Sequence, residues 1–133
     1  MEGTDALAAI ETAEYFIEAL NHALVSGETA TIEGLAADEC GPCASLVEGI
    51  TTLYDAGAWQ EGGQITFTDG TVPDNYAELD RLPVQFHVDQ APSASIGADG
   101  TRRPGGKGRK YVMQVVVEKK SDRWLVTDVV DAK

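Results

Sequence analysis

The chain has 133 residues, of which 43% are hydrophobic and 24% charged, and carries a formal net charge of −12 at pH 7. This length holds one domain with a single core, and this composition excludes a disordered chain. Sixteen of the twenty-two acidic residues and no Lys or Arg fall in residues 1–80, so nucleic acid is not expected as a partner of this acidic front half.

The first predicted element is an amphipathic helix over 5–26. Leu7, Ile10, Phe16, Ile17, Leu20 and Leu24 recur at three- and four-residue spacing, and Glu11, Glu14 and Glu18 take the other face. Thr4 or Asp5 suits its start as a cap, and Ser26-Gly27 supplies a left-handed stop. A shorter helix over about 31–38 turns Ile32 and Leu35 inward. A third, from Pro42 to Ala56, is expected to bury Leu46, Val47, Ile50, Leu53 and Tyr54. Pro42 suits its first turn, where no backbone N–H is needed, and Gly57 can end it.

Beyond Gly62-Gly63 the period changes to two. Strands are expected at Gln64–Thr68, at Val84–Asp89 with Val84, Phe86 and Val88 on one face, and around Tyr111, Met113, Val115 and Val117. A Ser121-Asp122 turn then leads into a last strand, Trp124–Val130. Residues 69–83 and 97–109 read as turn-rich connections. Helices followed by four or more antiparallel strands make an α+β order: one domain over 1–133, with a three-helix layer packed on a curved sheet.

The chemistry with the sharpest signature is Cys40-Gly41-Pro42-Cys43 at the start of the third helix. A CxxC redox site needs a thiolate, held by a helix N-terminus and by positive or neutral surroundings. The helix start is present, but Asp38 and Glu39 precede Cys40 and would raise its pKa. The strand that leads into such a motif in thioredoxins, and their closing helix, cannot be found. Leu82-Pro83 does lie about where those enzymes keep a cis-proline. Three readings stay open: a redox pair, a short structural disulfide, which fits an oxidising compartment, and two inert thiols.

Other constellations are weak. Gly100 to Gly108 lacks the glycine and hydroxyl that a phosphate loop requires, and its bases Arg102, Arg103 and Lys107, with Arg109 and Lys110, read as a solvated loop resting on acidic helices of this or another chain. His22 and His87 found no metal site and read as surface histidines. Asp128 shares a face with Trp124, Val126 and Val130 under strict alternation, which makes it a candidate inward carboxylate. No serine or cysteine has the partners of a hydrolase nucleophile, so no catalytic residue, metal or cofactor is nominated. No basic segment with an apolar run opens the chain, so no signal peptide is expected in it, and no apolar run is long enough for a membrane span.

Four stretches in this order, "AEYFIEALNHALVSGET", the Cys-x-x-Cys that opens the third helix, "LYDAGAWQEGG" and "VDQAPSASIGADG" before "PGG", resemble an uncharacterised family of actinobacterial lipoproteins whose soluble domain is similar to the NTF2-like cone. The resemblance implies a mature extracytoplasmic domain, held at the membrane only through a lipid anchor outside this sequence, and it favours a Cys40–Cys43 disulfide. It also implies a pocket between sheet and helices, with Phe16, Tyr54, Trp59, Phe86, Met113, Trp124 and Asp128 as candidate lining; ordinary core packing is the alternative for these residues. The function expected is non-catalytic binding of a protein, peptide or small apolar ligand, with a homodimer as a further possibility. A thiol–disulfide oxidoreductase and a pocket enzyme of isomerase or dehydratase type are the competing readings.

Overall fold

The computed structural model describes residues 3–120 and 123–132, so the expected Ser121-Asp122 turn lies outside the described residues. The element order is α1 (Gly3–Ser26), α2 (Ala30–Leu35), α3 (Gly41–Asp55), β1 (Trp59–Gly62), β2 (Ile65–Phe67), β3 (Arg81–Gln90), β4 (Ser93–Ile96), β5 (Arg102–Pro104), β6 (Arg109–Lys120) and β7 (Arg123–Ala132), with a 3-10 turn at Tyr76–Glu78. The α+β architecture is as the sequence predicts.

Helix α1 buries the expected face at Phe16, Ile17 and Leu20, with Ile10 and Leu24 packed against the core, and departs from it at Leu7. Ala9, Ala13, Phe16, Ile17, Leu20 and Ala23 face the core, while Leu7 is 57% exposed. Alanines on the buried face let the helix lie close to its neighbours, a feature that large-residue periodicity does not register. Thr4 and Asp5, the expected caps, fall inside the helix. Gly27 stops it as predicted, at φ +78°, and a side-chain carbon there would lie 2.5 Å from the Tyr54 ring. The Tyr54 hydroxyl donates to Leu24 O (2.7 Å) and accepts from Gln60 N–H (3.3 Å), which ties α3 and β1 to the end of α1.

The strands form two sheets, β2-β3-β6-β7 and β1-β4-β5, with every pairing within them antiparallel. Their registers show three long strands, each broken once: β1 continues into β2, β3 into β4, and β5 into β6. The breaks fall at Gly63-Gln64, Ala91-Pro92 and Gly105–Gly108, side by side. At this corner the backbones pass too closely for side chains: a Cβ on Gly62 would sit 2.2 Å from Pro92 O, and one on Gly108 2.9 Å from Gln90 O. Glycine and proline therefore bend the surface into its curved form. The small sheet was not expected from the sequence, and β5 lies within the predicted 97–109 connection. Its strands are only three or four residues long, so their pairing is imposed by the longer strands they extend.

The core lies between α1–α3 and the larger sheet, built on Phe16, Ile17, Ile32, Leu82, Val84, Phe86, Val115, Val117 and Val126. Strand β7 departs from alternation at a bulge: Val116 pairs with Asp128 and Val117 with Val126, which leaves Thr127 as the extra residue. Thr127 is 3% exposed, and its hydroxyl donates to Val116 O (3.4 Å) and accepts from Arg81 Nη2 (3.3 Å).

Candidate functional site

Cys40 caps α3 and is bonded to Cys43, with Cα atoms 5.3 Å apart. Each residue is 1% exposed. Cys43 N–H donates to Cys40 Sγ (3.2 Å), so the sulfur serves both as cross-link and as helix cap. The approach to the motif is fastened to the β6–β7 hairpin. Arg123 Nη2 donates to Gly34 O (2.7 Å), Ala37 N–H to Val126 O (2.8 Å) and Lys120 Nζ to Glu39 Oε2 (2.7 Å). The cation absent from the first eighty residues thus arrives from β6. The hydrogen bond from Lys120 holds the Glu39 carboxyl below its usual range, and Glu39 holds the Lys120 ammonium above its own. A thiol exchange enzyme requires an accessible nucleophilic sulfur, and neither cysteine offers one. Pro83 sits in β3 opposite Val116, and no peptide bond among the described residues is cis. The motif is a buried staple.

A cavity of about 410 Å³ opens between α1, the start of α3 and the end of the larger sheet. Leu20, Leu46, Ile65, Met113 and Val129 give it an apolar wall, and Ser45, Gln90, Arg109, Tyr111 and Asp131 stand in it as polar groups. The local architecture fixes this wall. Asn21 accepts from Ile65 N–H and donates to Ile65 O (both 2.8 Å), pinning β2 to α1. The β6–β7 register places Met113 opposite Asp131, and the β3–β6 register places Gln90 opposite Arg109.

The polar groups restrain one another. Arg109 Nη2 donates to Asp131 Oδ2, and the guanidinium carbon stands 4.0 Å from the centre of the Tyr111 ring. Tyr111 Oη donates to Gln90 Oε1 (3.2 Å), and Gln90 Nε2 donates to Gly63 O (3.2 Å). Burial pushes the Tyr111 phenol up, so it stays protonated at neutral pH; the bond to Asp131 pushes Arg109 up. The arrangement can bind an apolar body with a polar end.

Of the seven residues nominated from the sequence, Met113 lines this cavity. Phe16 and Phe86 are fully buried in the core, where Phe86 meets Phe67 edge-on at 5.4 Å. Tyr54 braces the end of α1, Trp59 is 44% exposed on the small sheet, and Trp124 packs half-buried against the core. Asp128 is a correction. The bulge at Thr127 turns it to the sheet face opposite Val126, where its Oδ1 accepts the Val129 N–H (2.9 Å). Strict alternation counts one residue too few on this strand, and that error placed Asp128 inward.

Arg109, Tyr111, Gln90 and Asp131 were missed as site residues, because Arg109 stands in a stretch that reads as a solvated loop. Within this chain the basic stretch meets acids of strands and loops: Arg102 pairs with Glu61 of β1 (3.5 Å), Lys110 lies opposite Asp89 in β3, and the Asp99 carboxyl is lowered chiefly by hydrogen bonds from Thr101, with Arg103 adding to it. His22 contacts Glu28 (3.2 Å) at the surface, and His87 is exposed on β3. A furrow of about 700 Å³ also runs between α2 and α3 past the disulfide. Its edges carry the exposed carboxylates Glu33, Asp38 and Glu48, and its floor is of small residues.

No helix of the described residues is long and apolar enough to cross a membrane. The fold is shared with solved structures of low sequence identity. The intermembrane space region of the chloroplast protein ARC6 superposes with a TM-score of 0.63 at 11% identity, over 98% of this chain and 96% of that one. The beta subunit of a putative aromatic-ring-hydroxylating dioxygenase from Novosphingobium aromaticivorans gives 0.58 at 11% identity, over 95% and 89%. These likenesses place the architecture among NTF2-like folds. No curated protein matches the chain. A family model described as a family of unknown function, DUF6318, matches residues 2–130, and the chain belongs to that family.

Proposed function

We propose that this chain is a non-catalytic, extracytoplasmic binding domain of a cell-envelope lipoprotein, and that it takes a small apolar ligand into the cavity between α1, α3 and the larger sheet. The observation that carries the reading is the cavity itself: about 410 Å³, walled by Leu20, Leu46, Ile65, Met113 and Val129, with its polar groups already bonded to one another. Volumes of this order suit small-molecule sites, and convergent polar groups at one end orient a ligand. The disulfide supports an oxidising compartment. The lipid anchor rests on the resemblance to actinobacterial lipoproteins.

The test is titration of the protein with 1-decanol, followed through the methyl resonances of Leu20, Leu46, Ile65, Met113 and Val129. Saturable shifts confined to these groups are expected, and Leu46→Trp, which fills the cavity, should abolish them while the protein still melts cooperatively. Absence of shifts in the unaltered protein, or equal binding by Leu46→Trp, would overturn the reading.

A further inference from the structure

We infer that the ligand of this cavity is an apolar carboxylic acid, its carboxylate held by Arg109 and its hydrocarbon laid against Leu20, Leu46, Ile65 and Met113. This rests on the binding reading above and adds the chemistry of the head group. Arg109 presents five N–H donors in a planar fork. One of its nitrogens, Nη2, is engaged with Asp131, while Nε and Nη1 make no hydrogen bond among the described residues.

The fork is also held in place before any ligand arrives. Tyr111 supports its face at 4.0 Å, Asp131 fixes one edge, and Tyr111 is fixed in turn by Gln90 at 3.2 Å. A guanidinium restrained in this way loses little conformational freedom on binding, and its second Nη2 hydrogen, with the free N–H beside it, matches a carboxylate in two-point geometry. Asp131 is the like charge on the rim. It takes one hydrogen of Nη2 and leaves the other to the opposite edge of the fork, so it anchors Arg109 from one side while a ligand carboxylate approaches from the other. Ser45, near the start of α3, adds a hydroxyl to the same mouth. A neutral alcohol offers Arg109 one acceptor oxygen and no charge, and an ammonium head would meet the guanidinium as a like charge.

The experiment compares decanoate, 1-decanol and decyltrimethylammonium as probes of equal chain length, by calorimetry and by the same methyl shifts. Decanoate is expected to bind roughly tenfold more tightly than 1-decanol, in proportion to one charge-assisted contact at a half-exposed site. Arg109→Gln should remove that preference, so that decanoate and 1-decanol bind the variant equally; a preference for decanoate kept in Arg109→Gln would overturn the inference. Arg109→Lys, a point charge without the fork, should restore only part of the preference.

Equal affinity for decanoate and 1-decanol would overturn the inference and leave the apolar-cavity reading standing. Tighter binding of decyltrimethylammonium would overturn it in favour of Asp131 as the recognising group. Tighter binding of N-acetyl-leucyl-leucine than of decanoate would give the mouth to peptide C-termini and overturn the assignment to a free acid. If none of the probes binds, both readings fail together.

Discussion

Reducing the Cys40–Cys43 bond while leaving every side chain in place isolates the effect of the cross-link from that of packing. The bond closes a loop of four residues, Cys40 to Cys43. The chain-entropy relation gives a loop of this size about 2 kcal/mol, through restriction of the unfolded ensemble. With about 2.1 cal/mol/K of unfolding entropy per residue over 133 residues, that loss lowers Tm by about 7 °C. Both cysteines are 1% exposed, so native protein should resist alkylation and mild reductant. The reduced form is therefore prepared by unfolding in reductant and refolding under argon. Calorimetric melting of the two forms, with thiol counts by mass spectrometry, is the assay. Equal melting temperatures would refute the staple, because a bond in the native state must restrict the unfolded one. Rapid alkylation of Cys40 in the untreated protein would refute its burial and return the motif to redox chemistry.

Other perturbations test the remaining geometry. Phe16→Ala should cost about 3–5 kcal/mol in urea unfolding and Leu7→Ala no more than about 0.5, since Phe16 is 0% and Leu7 57% exposed; similar costs for the two would place the α1 core face wrongly. Asp128→Ala should leave 1-decanol binding intact and cost less than about 1 kcal/mol, the scale of one hydrogen bond at a strand edge. Loss of ligand binding in that variant would put Asp128 inside the cavity and contradict the bulge. The Glu39–Lys120 pair contributes stability that is present between the two groups' titrations. It is lost as pH falls through the lowered Glu39 pKa and as pH rises through the raised Lys120 pKa. The melting difference between the unaltered protein and Glu39→Gln should therefore be largest near neutral pH and low salt, and vanish in acid. A difference independent of pH and salt would show that Glu39 acts by packing and not by charge.

The candidate site was only partly legible from the chain. Met113 was found because its strand alternates cleanly through Tyr111, Val115 and Val117. Arg109 and Asp131 were not, since they are twenty-two residues apart in sequence and meet only through the β6–β7 register. Asp128 was misplaced for a related reason: a bulge adds one residue on one strand and reverses every side chain after it, and no local signal marks Thr127 as that residue.

The sequence by itself determined the elements whose periodicity is local. These are three helices in order, the Gly27 stop, the four strands of the larger sheet and the α+β class. Tertiary structure alone decided that α1 turns Leu7 outward and packs through Ala9, Ala13 and Ala23, where small residues allow close packing that periodicity does not weigh. It decided the small sheet too, since strands of three or four residues pair only because longer strands carry them past the Gly-Pro corner. It also decided the charge balance. An acidic front half with no cation of its own receives Lys120, Arg102 and Arg123 from strands that the chain reaches much later. Electrostatic partners act over a few ångströms of space, and separation along the sequence says nothing about that distance until the chain has folded.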